Sequence, residues 1–399
     1  MVSEVTLSSL GMLSSQVLAY VKNNALARMA GLPCGHILCN GARMHFMQRD
    51  APPTDTSPPG HDFLLPLRSQ LHALAGHEPA AALQRLVAAG LDRLPLPGQG
   101  ATLTRWRALA AVGAHDLSLA KLFEGHTDAL AILHEAGADA VAVAGRTWGT
   151  WCAEPPDARL CIDRAPDGTQ EGKFVLNGRK AWCSGARSVS HAVVSCWNRE
   201  GEAMLAAVDL RQAGVTMADD GWQAVGMRDS ASIDVHFDGV AALPLGGPGF
   251  YVQRAGFWHG GAGVAACWLG AAGALAEALA ATLRTRQPDA HRLAQLGEAA
   301  VALQGSAALM RETAAVIDRA PGADAMRAAL SVRLSVEAAA GLTLAVVGRA
   351  LGPGPMCKDA AMARRFADLP VFMRQSHAER DLEALGKLAL GAAEQPWLL

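Results

Sequence analysis

The strongest constraint on the fold is a block of short β-like segments between residues 147 and 247, flanked by long Ala-rich stretches. Segments such as KFVLNGRKAWCS, HAVVSCWN and ASIDVHFDGVAAL are rich in Val, Ile and Trp, and turn signals such as PDGTQEG separate them. Short runs of this composition, bounded by Gly, Pro, Asn and Asp, are typical of strands in a sandwich or barrel. We therefore predict an antiparallel β domain of roughly a hundred residues.

The flanking stretches have helical periodicity. In LRSQLHALAGHEPAAALQRLVAAG, and in most of the chain after Pro248, apolar residues recur at three- and four-residue spacing. The last block divides into helical segments at 250–284, 290–318, 323–350, 357–373 and 374–391. Several long antiparallel segments of this kind are typical of a helix bundle.

These textures predict an α+β multidomain fold. It comprises an N-terminal helical domain at 61–146, a middle antiparallel β-barrel at 147–247 and a C-terminal helical bundle at 248–399. Residues 1–60 form a leader that ends in the Pro-rich linker APPTDTSPPG, and disorder is one alternative for this segment.

Charge and cysteine usage exclude several classes of protein. The 35 Lys and Arg residues nearly balance the 37 Asp and Glu residues, without the basic surplus of a nucleic-acid binder. The 8 cysteines include no CxxC pair, which argues against a metal site and fits a reducing cytoplasm. The uncharged Gly- and Ala-rich stretch 260–276 is short for a membrane span, so we predict a closely packed buried helix. We expect a cytoplasmic protein that binds neither nucleic acid nor membrane.

Common catalytic motifs are missing from the sequence. There is no G-x-S-x-G, HExxH or P-loop, which removes the usual serine hydrolase, zinc protease and NTPase hypotheses. A G-x-G-x-x-A match at 261–266 has no preceding strand, and close helix packing explains it better than nucleotide binding.

Three segments of the β block carry a family resemblance: WCAEPP at 151–156, NGRKAWCSGA at 177–186 and WQAVGMRDSASIDVHFDGV at 222–240. With the α-β-α order and the GPGF segment that opens the next helix, they resemble the acyl-CoA dehydrogenase family of flavoproteins. The resemblance covers nearly everything after residue 61. It implies FAD, held between subunits of a homodimer or homotetramer, and oxidation of an acyl thioester at its α and β carbons with hydride transfer to flavin N5. The electron acceptor or reductase stays open.

The resemblance also implies flavin-contacting residues. A flavin needs an aromatic or apolar wall and hydrogen-bond donors near its N5 and O4 edge. Trp182 matches the wall position and Ser184 the hydroxyl donor, with Cys183 between them; taken singly, a core tryptophan and a strand-end hydroxyl are the alternatives. Ala153 stands where the family has Thr in Thr-Glu-Pro, so its backbone is the candidate donor, and Arg159 is a candidate for the pyrimidine oxygen or a phosphate.

The residues expected to bind the pyrophosphate and adenosine of FAD match the family pattern more weakly. The family's Arg followed by Phe-Gly is replaced by LRTRQPDAHRLAQLGE, which leaves Arg284, Arg286 or Arg292 as candidates for the pyrophosphate. Gly352 and Gly354 stand where the family has a Gly-rich turn near the adenosine. A solvated helix end and a plain helix–helix turn are the competing interpretations.

The catalytic base of the family is absent. The resemblance places Ser376 at the usual Glu position and His377 at the following Gly, while a subgroup's alternative position is occupied by Gln253 or Arg254. Three hypotheses follow. His377 or Glu379 serves as a relocated base; the protein is a flavin-dependent monooxygenase, which needs no such base and uses reduced flavin and oxygen; or it is a non-catalytic FAD-binding homologue. A surface role for His377, paired with a nearby charged residue of its helix, weighs equally.

Overall fold

The N-terminal part of the protein is helical. The structure is a computed structural model that describes residues 61–165, 173–218, 221–285, 289–392 and 397–398, so the leader and linker lie outside the described residues. The first helices are α1 (His61–Ala73), α2 (Pro79–Ala88), α3 (Thr102–His115) and α4 (Leu117–Glu135). Asp116 separates α3 from α4 and caps α4 by accepting a 2.7 Å hydrogen bond from the Leu119 backbone N–H.

The middle of the chain forms a barrel. Its strands are β1 (Trp148–Trp151), β2 (Leu160–Arg164), β3 (Phe174–Cys183), β4 (His191–Trp197), β5 (Ala203–Asp209), β6 (Val215–Met217) and β7 (Ile233–Pro244). Strands β4, β2, β3, β7 and β5 pair in that order and β5 returns to β4, which closes the ring; β1 adds to β4 and β6 to β7. The α+β fold with a middle barrel is confirmed.

One part of the sheet differs from the antiparallel prediction. Strand β1 runs parallel to β4, with Trp148 opposite His191, and β2 meets β4 in a short parallel contact. Parallel neighbours need a long crossover, and the stretch from β1 to β4, which includes β2 and β3, supplies one. Composition and periodicity indicate where strands lie but not whether they pair in parallel, because orientation depends on which strands become neighbours.

The C-terminal part is a set of helices: α5 (Phe250–Gln253), α6 (Gly256–Thr285), α7 (Ala290–Arg319), α8 (Met326–Leu351), α9 (Pro353–Lys358), α10 (Ala360–Met373) and α11 (Glu379–Leu390). The segment predicted as one helix at 250–284 is interrupted where Arg254 adopts an extended backbone. That break turns Arg254 towards α4, where it binds Glu135.

Helices α3 and α6 pack with almost no space between their backbones. A Cβ on Gly113 would lie 2.3 Å from the Cys267 carbonyl oxygen, and one on Gly270 would lie 2.0 Å from the Ala110 carbonyl oxygen. Close packing of the Gly- and Ala-rich stretch is therefore confirmed. Among the described residues, helices α6 and α8 are long and apolar enough to cross a membrane by length and composition, and half of each apolar window is buried within the protein.

A buried histidine joins the helices to the barrel. His126 of α4 contacts Asp92 through Nε2 at 3.0 Å, and its Nδ1 accepts a 3.1 Å hydrogen bond from the Trp148 backbone N–H. Both ring nitrogens are therefore satisfied inside the protein. The contact places the polar face of α4 beside β1, at the edge of the cavity described next.

Candidate active site

A cavity of about 1110 Å³ lies between the barrel and the two helical parts. Pockets for drug-sized ligands usually have roughly 300–1,000 Å³, so this one has room for a cofactor ring system together with a small substrate. The barrel contributes one side of the lining, which we call the barrel wall. Helices α4 and α6 and the segment after α10 contribute the other side, which we call the helix wall.

The barrel wall begins with an exposed aromatic side chain. Trp182, near the end of β3, is 58% exposed although it belongs to a barrel strand. Its ring meets Trp222 edge to face, with centroids 6.3 Å apart. An exposed pair of indoles inside a cavity leaves apolar surface that a planar ring system can cover.

Hydroxyl groups line the barrel wall beside Trp182. Ser184 Oγ lies 2.7 Å from Ser232 Oγ, and Ser232 Oγ lies 3.0 Å from Ser230 Oγ. Ser230 Oγ in turn donates to the Met227 carbonyl oxygen over 2.8 Å. Because each hydroxyl has one rotatable hydrogen, Ser184 can donate to a bound polar group if Ser232 turns its hydrogen from Ser230 to Ser184.

Backbone strain is concentrated at this cavity. Among the described residues, the non-glycine positions with positive φ are Trp182, Met227, Ala231 and Ala378, with φ between 39° and 61°. Trp182 and Met227 line the cavity, Ala231 lies between two serines of the wall, and Ala378 follows His377. Strained backbone of this kind persists where surrounding contacts enforce it and is common at binding sites.

A buried charge network supports the strand below the barrel wall. Lys180 is 2% exposed, and its Nζ donates to Glu154 Oε1 and to Ser195 Oγ. Glu154 also accepts from Trp197 Nε1 at 2.9 Å. Ala153, the predicted backbone contact, lines the cavity directly before Glu154. The network anchors this segment and holds Ala153 at the cavity.

The helix wall is charged. Lys121, Glu124 and Asp128 follow one another at three- and four-residue spacing on α4, so they share one face. Lys121 Nζ binds Glu124 Oε2 at 3.1 Å. Arg254 Nη1 donates to Glu135 Oε2 at 2.5 Å and Nη2 lies 3.7 Å from Asp128 Oδ1. Burial alone lowers the pKa of Arg254, but Asp128 and Glu135 outweigh it and the net pKa is raised.

A thiol and a phenol, those of Cys152 and Tyr251, also line the cavity. Burial raises the pKa of Cys152 to about 11, and burial also raises the pKa of Tyr251 well above its usual value. Both groups therefore stay neutral at physiological pH. Neither offers a nucleophile or a base there.

The turn between α10 and α11 brings a histidine to the cavity. His377 Nδ1 lies 3.5 Å from Asp381 Oδ1, and the His377 backbone N–H donates to Asp381 Oδ2 at 3.1 Å. Both residues line the cavity. Arg333 of α8 stabilises this turn by donating a hydrogen bond to the Gln375 carbonyl oxygen over 3.0 Å. The pairing with Asp381 that the sequence left as an alternative for His377 is present, and it faces the cavity.

The other two residues of the predicted catalytic set lie elsewhere. Ser376 is buried and its Oγ accepts a hydrogen bond from the Ala378 backbone N–H over 3.2 Å. Glu379 begins α11 and does not line the cavity. The turn therefore presents His377 to the cavity, and neither Ser376 nor Glu379.

Several predicted cofactor contacts do not line this cavity. The Cys183 side chain is buried, and burial raises the pKa of its thiol above the usual range. Arg159 packs 4.8 Å from the Trp197 ring centroid, and Arg284 pairs with Glu277 at 2.5 Å on the exposed end of α6. The remaining members of the predicted set are Gly352 and Gly354, which flank the start of α9, and Arg286, which lies outside the described residues.

The residues that sequence reasoning missed are mostly on the helix wall. Lys121, Glu124 and Asp128 form a polar stripe on a largely buried helix, within LSLAKLFEGHTDALAILHE. That stripe was a usable signal, since charged residues on a buried helix need partners or a ligand. Trp222 precedes VGMRDSAS and carried no signal beyond the family match.

One family model matches the middle part of the chain. The family model "Acyl-CoA dehydrogenase, middle domain" matches residues 163–240, within the barrel. A dibenzothiophene monooxygenase of Rhodococcus erythropolis is 30% identical over 282 residues, which are 60% of this chain and 67% of that protein.

Solved structures share the fold over most of the chain. FMN-bound TdsC, from Paenibacillus sp. A11-2, superposes with a TM-score of 0.68 at 19% identity and covers 84% of this chain and 98% of its own. KijD3 in complex with FMN and a dTDP-linked amino keto sugar has a TM-score of 0.70 at 22% identity and covers 86% of this chain and 96% of its own.

A closed barrel between two helical parts, with a large cavity at their junction, defines the acyl-CoA dehydrogenase-like fold. This chain belongs to the acyl-CoA dehydrogenase family, in which it is a divergent member. The predicted resemblance is thus confirmed. The names of the relatives match oxygen chemistry, the second alternative, better than the leading prediction of thioester dehydrogenation.

Proposed function

We propose that this protein is a flavin-dependent monooxygenase that uses reduced flavin and oxygen. The observation that carries the proposal is that Ser376, followed by His377, replaces the family's catalytic glutamate. Ser376, at the position of the family's usual glutamate, is buried away from the cavity, whereas His377 with Asp381 faces it. Such a pair can hold and move a proton, but it lacks the free carboxylate that removes an α-proton in the dehydrogenases.

The barrel wall fits a flavin. Trp182 and Trp222 offer an apolar surface, and Ser184, at the end of the Ser184–Ser232–Ser230 row, offers one hydroxyl beside it that can turn to donate. When bound in its reduced form, flavin supplies the two electrons that activate oxygen; one oxygen atom enters the substrate and the other leaves as water. Ala153 brings a backbone group to the same cavity.

The helix wall and the His377 turn serve the substrate side in this proposal. In this proposal the His377 imidazole is the group that gives or takes a proton, and Asp381 fixes the His377 backbone by accepting from its N–H, with Oδ1 3.5 Å from Nδ1. Arg333 fixes the turn against α6 and α8 by donating to two carbonyl oxygens, those of Gly261 and Gln375.

FMN is the cofactor we propose, in place of the FAD predicted from the sequence. Support comes from the TdsC and KijD3 structures, whose flavin is FMN. Reduced FMN would come from a partner reductase, in keeping with the cytoplasmic location and homo-oligomeric state expected from the sequence. Chromatography of the flavin released from purified protein separates FMN from FAD and decides between them.

Oxygen transfer is tested with the FMN-loaded protein, a flavin reductase and NADH. Indole and dibenzothiophene serve as probes, and labelled oxygen is followed into the product by mass spectrometry. We expect incorporation that His377→Gln lowers by about 100-fold, in the range of a lost general acid. Glu379→Gln is the matched control, because Glu379 neighbours the turn without lining the cavity, and it should retain activity.

The dehydrogenase alternative predicts the opposite result in this experiment. Under anaerobic conditions a saturated acyl thioester would bleach the oxidised flavin, and no oxygen would enter any probe. That result would replace the monooxygenase proposal. A protein that takes up neither FMN nor FAD would overturn both and leave the non-catalytic hypothesis.

A further inference from the structure

We propose that the helix wall receives a neutral substrate that carries an N–H or O–H group, and that Asp128 is the acceptor for that group. The proposal rests on the monooxygenase function proposed above and names the class of compound the cavity takes. It distinguishes a hydrogen-bond-donating substrate from a sulfur heterocycle of the same size that has no donor.

Asp128 is a buried carboxylate with an unused acceptor atom. It lines the cavity from α4, and the residue is 8% exposed. Its Oδ1 accepts no hydrogen bond from any part of the protein that the structure describes. The nearest cationic atom is Arg254 Nη2 at 3.7 Å, too far for a hydrogen bond. Buried carboxylate oxygens nearly always have donors, so this one indicates a missing partner.

Arg254 is held by contacts of its own and gives Asp128 no hydrogen bond, although its Nε also has no partner among the described residues. Its Nη1 is bonded to Glu135 Oε2 at 2.5 Å, and its guanidinium carbon lies 5.4 Å from the Tyr251 ring centroid. Glu135 is held in turn, since Oε1 accepts from the Gly256 backbone N–H over 2.8 Å. The position of Arg254 is thus set by the start of α6, and Asp128 Oδ1 lies within ion-pair distance of it without accepting a hydrogen bond.

The facing helix leaves space for the carboxylate. A Cβ on Gly260 of α6 would lie 2.8 Å from Asp128 Oδ1, closer than such atoms approach. A glycine at this position therefore lets the Asp128 side chain extend across the gap between α4 and α6 at the cavity. Any larger residue at 260 would push the carboxylate out of this position.

Charge balance around Asp128 favours a neutral donor over a cation. Arg105 is buried nearby and interacts with both Asp128 and Glu124, Lys121 pairs with Glu124, and Arg254 pairs with Glu135. These three cations match the three carboxylates, so a cationic ligand gains no net attraction. A neutral N–H or O–H group fills the vacant acceptor without bringing a charge into the buried site. The adjoining lining is aromatic and suits a ring: Tyr251, Phe257 and Trp258.

Indole and benzothiophene are the probes that test this acceptor. They share one bicyclic shape, and N–H in the first is replaced by sulfur in the second. Each is titrated into the FMN-loaded protein by isothermal titration calorimetry. We expect indole to bind about tenfold more tightly, as one hydrogen bond to a charged group predicts. Asp128→Leu should remove the preference, because no acceptor remains.

Two further variants show whether Asp128→Leu loses the preference because the acceptor is gone or because the protein no longer folds. Gly260→Ala keeps the charge of Asp128 but displaces its carboxylate, so it should also reduce the preference for indole. Glu277→Gln removes a carboxylate from the exposed face of the same α6 helix and should leave the preference unchanged. Melting curves show whether each variant is folded before it is titrated.

The outcomes separate this proposal from the proposed function. If FMN binds and benzothiophene binds as tightly as indole, or the preference survives both Asp128→Leu and Gly260→Ala, the role of Asp128 is overturned while the monooxygenase stands. Indole that fails to bind at millimolar concentration overturns it as well. A protein that does not bind FMN rejects the monooxygenase instead, and the calorimetry without flavin still reports on Asp128.

Discussion

Asp368 Oδ1 accepts a hydrogen bond from the backbone N–H of Met227 over 2.6 Å, and so ties α10 to the loop before β7. Met227 has positive φ and lines the cavity. Next to it, a Cβ on Gly226 would lie 2.0 Å from the Ala367 carbonyl oxygen. The C-terminal helices therefore hold the barrel loop that completes the barrel wall.

Stability should depend on pH through Asp368. Burial raises its pKa to about 6, so between about pH 4 and 6 the native state binds more protons than the unfolded state. The free energy of unfolding then falls as pH rises through this window. Asp368→Asn retains the acceptor for Met227 and removes the titration. The stability of the variant relative to the wild type should therefore rise by roughly 1–2 kcal/mol from pH 4.5 to pH 7, after allowance for solvent screening.

Urea denaturation at several pH values measures this difference. Asp289→Asn is the control, since the backbone N–H of Arg292 lowers the pKa of Asp289 and places its effect at lower pH with the opposite sign. A difference between Asp368→Asn and the wild type that does not change with pH would show that Asp368 titrates normally.

The exposed indole of the barrel wall should matter for flavin affinity and little for folding. Trp182→Ala removes an aromatic surface that is already 58% exposed, so the melting temperature should change little. We expect the dissociation constant for FMN to rise by about tenfold, the size of a lost aromatic contact. Fluorescence titration of FMN measures it. Trp397→Ala is the control, because Trp397 is exposed and does not line the cavity; equal effects of the two changes would argue against flavin contact by Trp182.

Removing either partner of the Lys180–Glu154 ion pair next to Ala153 should lower stability, but by different amounts. Glu154→Leu leaves the Lys180 ammonium buried with Ser195 as its remaining partner, which should cost about 3–5 kcal/mol of unfolding free energy. Lys180→Met should cost less, because the Glu154 side chain is 31% exposed and water can reach it. Chemical denaturation gives both values. The double variant should be more stable than Glu154→Leu alone; if it is less stable, the Lys180 side chain stabilises the fold even without Glu154, and no uncompensated charge is left buried.

Close packing of α3 against α6 predicts a sharp contrast between two glycines of one helix. Gly270→Ala would force a methyl group against the Ala110 carbonyl oxygen, whereas a Cβ at Gly273 meets nothing within 4 Å. We expect Gly270→Ala to destabilise by about 3 kcal/mol or more, and Gly273→Ala to be neutral or to stabilise by up to about 1 kcal/mol. Thermal unfolding of both proteins tests this, and similar melting temperatures would mean that α3 and α6 separate easily.

Much of the architecture was predictable because helix and strand periodicity are local. The change of texture near residues 147 and 248 marks the helix–barrel–helix order, and the NGRKAWCSGA and VGMRDSAS segments point to the family. The same local signals suggested Trp182 and Ser184, and the structure places both at one cavity. The parallel pairing of β1 with β4 was not predictable in this way, since it depends on contacts between distant strands.

The site could be predicted only in part. A family pattern laid on FADLPVFMRQSHAERD makes Ser376, His377 and Glu379 all candidates, because an alignment gives the position of a residue but not the direction of its side chain. Only the turn after α10, with Ala378 at positive φ, buries Ser376 and presents His377.

The sequence by itself determined the order of helices and strands, the family and the residue types available for a flavin wall. Tertiary structure decided which of them meet. Asp128 and Arg254 are separated by the entire barrel along the chain yet lie 3.7 Å apart, and Met227 finds its acceptor 141 residues away. Periodicity reports the environment of a residue within a few turns of chain, whereas a binding site is made by packing, which joins segments without regard to their distance in sequence.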